Sequence, residues 1–125
     1  KQFGVNLASI NQSVLASISG GSSGASVDKI KALKELSFEF YEAKQIKPLM
    51  VKNATLNAEC KLIKEIELGS HIMLIGEVLE VSINDVKPIA YHSGKYGIVN
   101  FNIQKPTEQE REKYRKVIAK NLKTS

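Results

Sequence analysis

The stretch "LNAECKLIKEIELGSHIMLIGEVLEVSI", residues 56–83, decides the fold. Its apolar residues first fall on every second position, in a phase that begins at Ala54. Leu56, Ala58, Cys60 and Leu62 therefore share one face of an extended chain. The alternation slips by one at Leu62-Ile63, which predicts a bulge of the kind that turns a barrel's corner. After a Gly-Ser turn, "HIMLIGEVLEVSI" is apolar on both faces through Leu74 and Ile75 and reads as a long interior strand. Gly76 within it costs stability unless another group approaches its backbone closely.

On the C-terminal side, "KPIAYH" and "YGIVNFN" read as two shorter strands joined by "SGK", a tight glycine-containing turn. The chain closes with a helix. Thr107 and Glu110 form a T-x-x-E capping box ahead of an inward stripe of Tyr114, Val117, Ile118 and Leu122. On the N-terminal side, "FGVNLA" and "FEFYEA" are strand-like, and "SINQSVLASIS" makes a helix with Ile10, Val14 and Ile18 on one side. The polar loop "GGSSGAS", residues 20–26, ends on Ser26 and opens a short helix with Ile30, Leu33 and Leu36 as its apolar positions. The expected fold is mainly β: an antiparallel barrel with flanking helices, favoured over a flat sheet by the long strands, the glycine and the register slip. At 125 residues and 42% hydrophobic content, the chain can bury one core.

Composition excludes more than it assigns. The net charge of +5 is concentrated from Lys105 onward, where seven basic residues meet three acids; everything before carries +1. A phosphate-tracking surface needs basic groups spread across a face, so no nucleic-acid partner is expected. No run of eighteen apolar residues exists, so no membrane span is expected. A single cysteine, Cys60, points to a reducing compartment and hence to the cytoplasm. Cys60, His71 and His92 lack zinc-ligand spacing, so no metal is expected. The serines near Gly24 lack a nucleophile elbow, and no Gly-x-Gly-x-x-Gly follows a strand.

Five stretches in order resemble the flavin reductase-like, FMN-binding split-barrel family, which includes flavoredoxins and archaeal ferric reductases. "FGVN" is similar to its Phe-x-x-Asn strand, and "SSGASVDKI" to its Ser-Gly loop with Asp-Lys. "LNAECKL" is similar to its Leu-x-Cys strand, and "LGSHIMLIGEV" to its Gly-Asp-His strand closing on Gly-Glu-Val. "KPIAYHSGKYG" is similar to its Pro-Leu segment with a late tyrosine. The resemblance covers residues 2–97 and implies that residues 1–104 are the C-terminal two-thirds of the family domain, its earlier strands preceding Phe3. Residues 105–125 then form a basic amphipathic helix that packs on the barrel or on a partner subunit.

The resemblance also implies a function. Such proteins bind FMN, with FAD as the other candidate, usually as homodimers with the flavin near the subunit interface, and many pass a hydride from NADH or NADPH to flavin N5. Carried onto this chain, Lys29 donates to the flavin, Asn6, Ser22 and Ser23 add hydrogen bonds, and Tyr91 and Tyr96 flank the ring. His71 lies against flavin and nicotinamide as the catalytic group, acting by position and charge, because hydride transfer needs no protein nucleophile. Ser70 stands where the family has aspartate. The alternative in another class is a non-catalytic FMN-binding electron carrier, or a split-barrel relative that has lost its flavin.

Overall fold

The computed structural model describes residues 1–124. In chain order its elements are β1 (Gln2–Leu7), α1 (Ser13–Gly21), α2 (Lys29–Glu35), β2 (Phe40–Glu42), β3 (Leu49–Val51), β4 (Leu56–Leu68), β5 (His71–Ile83), β6 (Ile89–His92), β7 (Lys95–Ile98) and α3 (Glu108–Lys120). Every strand pair is antiparallel. β1, β4 and β5 form a three-stranded sheet in that order, while β2–β3 and β6–β7 are two-stranded ribbons.

The two faces of the sheet have different jobs. Along β1, Gln2, Gly4 and Asn6 alternate with Phe3, Val5 and Leu7, so the two sets point to opposite sides. The first set meets the β2–β3 ribbon and the loop that joins its two strands. Gln2 Oε1 accepts from Lys47 N–H at 2.9 Å, Gly4 lies under Met50, and Asn6 Oδ1 accepts from Val51 N–H at 3.2 Å. From β4, buried Glu59 accepts from the N–H groups of Lys44 (3.2 Å) and Gln45 (2.6 Å), tying the same loop down. The core lies where this arm meets the helices: Leu15, Leu33, Val51 and Ala54 are buried together, with Ile18, Phe38 and Phe40 against them.

The other face carries Phe3, Val5 and Leu7 beside Ala58 and Cys60, and it explains Gly76. A methyl built on Gly76 would lie 2.5 Å from Phe3 Cζ and 3.3 Å from Cys60 Cβ, so the glycine is the seat of the Phe3 ring. Gly76→Ala should therefore cost about 1–3 kcal/mol, the range for overpacking a filled site. Urea denaturation checks this, and an unchanged midpoint would show that the ring does not sit there. The expected bulge is also present. The β4–β5 register shifts between Leu62 and Lys64, and again between Glu59 and Cys60.

Several expectations need correcting. β5 is not an interior strand: it is the sheet's edge in this chain, and Ile72, Met73, Leu74, Ile75, Val78, Val81 and Ile83 are all exposed. Apolar sequence on both faces records what a strand is built to meet, and no element of these 124 residues meets it. β4 is buried on both faces between Asn57 and Cys60, rather than on one. In α1 the buried residue is Leu15, whereas Val14 is exposed and Ile10 lies before the helix, its N–H bonded to Lys87 O. α2 is capped by Asp28, whose carboxylate accepts from Lys31 N–H, and not by Ser26; of its apolar positions only Leu33 is buried. The capping box of α3 is formed as expected, and the bonds from the Thr107 backbone N–H and hydroxyl hold the Glu110 carboxyl below the usual carboxylate range. Its stripe is not inward: Tyr114, Val117, Ile118 and Leu122 are exposed.

Candidate functional site

Two contacts reach the C-terminal half of α1. Ser17 Oγ lies 2.9 Å from Tyr96 Oη, and Lys29 Nζ donates to Ser19 O at 2.7 Å. Two residues apart on one helix, Ser17 and Ser19 thus gather the β6–β7 hairpin and the start of α2. Tyr91 and Tyr96 face each other across that hairpin, ring centroids 5.3 Å apart and tilted by 59°. The hairpin turns on Ser93 (φ 50°) and Gly94 (φ 75°), both left-handed, as a two-residue turn of this hand requires. Ser22 ends α1, and Ser23 follows it. Ser23 Oγ accepts from Ala25 N–H at 3.2 Å, folding the loop back toward Asp28 and Lys29.

Of the predicted residues, Lys29 is tied to α1 by its bond to Ser19 O, Tyr96 by its contact with Ser17, Tyr91 through its pairing with Tyr96, and Ser22 and Ser23 by following the helix directly; together they form the candidate set. Its donor chemistry suits a phosphorylated, ring-bearing ligand: one ammonium, with a single bond spent on Ser19 O, the serine hydroxyls, and an aromatic face on Tyr91, which is 68% exposed; the Tyr96 hydroxyl is spent on Ser17. The adjacent acid, Asp28, is occupied as the α2 cap.

Asn6 and His71 sit elsewhere. Asn6 Oδ1 accepts from Val51 N–H and, at 2.6 Å, from Asn57 Nδ2, which also donates to Val51 O. Its carbonyl is committed to holding β3 on the sheet, and its amide nitrogen makes no hydrogen bond within the described residues. His71 opens β5 at the tip of the β4–β5 hairpin, directly after the turn Gly69 (φ 62°) to Ser70. It is exposed, and Ser70 Oγ lies 2.9 Å from its Nδ1. The serine at the family's aspartate position thus still orients the imidazole.

His71 opens β5, and the β6–β7 hairpin follows its far end. β6 leaves from the other end of the sheet, where Ile89 N–H bonds Ala8 O and Ser9 bridges Pro88. Thirteen residues of β5 lie between, about 40 Å of extended strand. Among the described residues, no three His, Cys, Asp or Glu side chains come together as a metal would need. Sequence reasoning missed Ser17, Ser19 and Asn57, because a serine on a helix and an asparagine on a strand carry no motif.

The comparisons bear on what such an arrangement is for. Residues 1–100 match the model of the flavin reductase like domain. An uncharacterised protein of Archaeoglobus fulgidus is 36% identical over 76 residues, which is 61% of this chain and 39% of that protein. Among solved structures, the flavin reductase PheA2 superposes with a TM-score of 0.63 at 28% identity, covering 80% of this chain and 58% of that one. The flavoredoxin of Desulfovibrio vulgaris (Miyazaki F) gives 0.68 at 23%, covering 86% and 63%. The NADH:FAD oxidoreductase SgcE6 of Streptomyces globisporus, solved with NAD and FAD fragments, gives 0.67 at 16%, covering 82% and 58%. The chain thus spans less than two thirds of the length of each of these proteins.

Proposed function

The chain belongs to the flavin reductase-like family, and on that premise we propose that it binds FMN, with FAD as the other candidate, and passes a hydride to it from NADH or NADPH. What supports this reading is the set of groups attached to α1: Lys29 on Ser19 O, Tyr96 on Ser17 with Tyr91 beside it, and Ser22 and Ser23 at the helix end. The ammonium and hydroxyls suit phosphate and ring oxygens, and the tyrosines supply a stacking face. The flavin, when bound, supplies the N5 position that takes the hydride. The protein's share is binding, orientation and exclusion of water.

His71 sets the assembly. It lies at the opposite end of the thirteen-residue β5 from the β6–β7 hairpin, and on this reading the imidazole that shares the flavin site is a second copy's, the working unit being a homodimer. The uncovered apolar residues of β5 and the open stripe of α3 are consistent with such a partner. Residues 1–104 then form the flavin-binding unit, and the segment 105–125 carries α3 against the partner; Ser125 lies outside the described residues. Among the described residues no helix is long and apolar enough to cross a membrane. With Cys60 buried and unpaired, we assign the protein to the cytoplasm.

The test uses the full polypeptide. A visible flavin spectrum, oxidation of NADH or NADPH on addition of FMN, and sedimentation at twice the chain mass at micromolar concentration are expected. Bound flavin without nicotinamide oxidation identifies an electron carrier instead, and a monomer with flavin bound removes the two-chain site.

A further inference from the structure

The Ser17–Tyr96 contact joins residues 79 apart in sequence, and neither partner is buried. Burial therefore does not force it. The β6–β7 hairpin is anchored at its root by backbone bonds, Ile89 N–H to Ala8 O at 3.0 Å and Ile10 N–H to Lys87 O at 3.0 Å. Beyond that root, the only side-chain hydrogen bond from the ribbon to the rest of the described residues is the one between Ser17 and Tyr96. It turns the Tyr96 phenol toward α1. With that ring fixed, the 5.3 Å tilted pair fixes its cross-strand partner Tyr91, whose remaining face is open to solvent.

We propose that Ser17 is a positioning residue: through the Tyr96 hydroxyl it holds the Tyr91 ring as the stacking surface for the flat ring of the flavin. This rests on the flavin reading above and adds to it a residue that touches no ligand. An untethered four-residue ribbon would offer the same two rings in many orientations, and the ligand would have to select among them.

A double-mutant cycle on the full polypeptide tests the idea, read as the Kd for FMN by fluorescence titration. Ser17→Ala and Tyr96→Phe should each weaken binding about 3- to 10-fold, the equivalent of one exposed hydrogen bond. The double variant should be no weaker than the weaker-binding single, because both remove the same contact. Ser17→Thr, which keeps the hydroxyl, should restore the wild-type Kd. A second measurement needs no ligand: the aromatic proton shifts of Tyr91 should move in Ser17→Ala and stay in Ser17→Thr. Wild-type flavin binding with an unchanged Kd in Ser17→Ala, or additive single effects, overturns the proposal. Absence of flavin binding in the wild type with Tyr91 shifts that do respond to Ser17→Ala overturns the flavin reading and the ligand named here, while the tether itself stands.

Discussion

Replacing Glu59 by glutamine should lower the unfolding free energy by about 2–3 kcal/mol, the upper range for losing a hydrogen bond to a charged group. Glu59 is 4% exposed and is held between two successive backbone N–H groups, those of Lys44 and Gln45. A carboxylate offers two acceptors and meets both. Glutamine has nearly the same shape but presents one oxygen and one NH2, so one backbone donor then faces another donor. The Lys44–Glu80 ion pair is no substitute, being 3.9 Å long and exposed on the lysine side. Because this loop leads into Ile46 and Met50, which are buried, loosening it exposes the arm that covers the sheet. Urea denaturation of the full polypeptide measures the effect, and a loss below about 0.5 kcal/mol would mean that water replaces the carboxylate at no cost.

Glu59 also shows why only part of this fold is legible in the sequence. The strand period, the slip at Leu62-Ile63, the close approach at Gly76 and the capping box at Thr107 are local signals, and each is present in the structure. Burial is not local. Alternation across β4 marks Ala58 and Cys60 as inward and assigns Asn57 and Glu59 to solvent. The β2–β3 arm buries those two polar residues instead, supplying Val51 and the Lys44–Gln45 amides as partners beside Asn6 of β1. The reverse error occurs on β5 and α3, where apolar residues promise contacts that these 124 residues do not make.

The candidate site divides in the same way. The family motifs place Lys29, Tyr91, Tyr96 and His71 by type. Only the three-dimensional chain reveals that Lys29 and Tyr96 each bond to α1, that Asn6 is committed to Asn57 and Val51, and that His71 stands on the hairpin tip.

His71→Ala should slow reduction of bound flavin by NAD(P)H about 10- to 100-fold while changing stability by less than about 1 kcal/mol. The stability half follows from position. His71 is exposed, follows a two-residue turn set by Gly69, and makes its one side-chain hydrogen bond to the neighbouring Ser70. Little packing is lost with the ring. The rate half follows from the two-copy site proposed above. Ser70 Oγ, 2.9 Å from Nδ1, orients the imidazole, and in the proposed site that ring faces the flavin bound by the other copy. Its removal costs orientation and charge complementarity at the hydride-transfer geometry, and it removes no nucleophile, so a residual rate persists. Ser70→Ala leaves the ring but frees its rotation, and should give a smaller loss in the same direction. Stopped-flow reduction beside a melting curve for each variant separates the two roles. Unchanged reduction kinetics with a clearly destabilised protein would make His71 a strand cap and leave the α1 locus to hold the flavin without a second copy's imidazole.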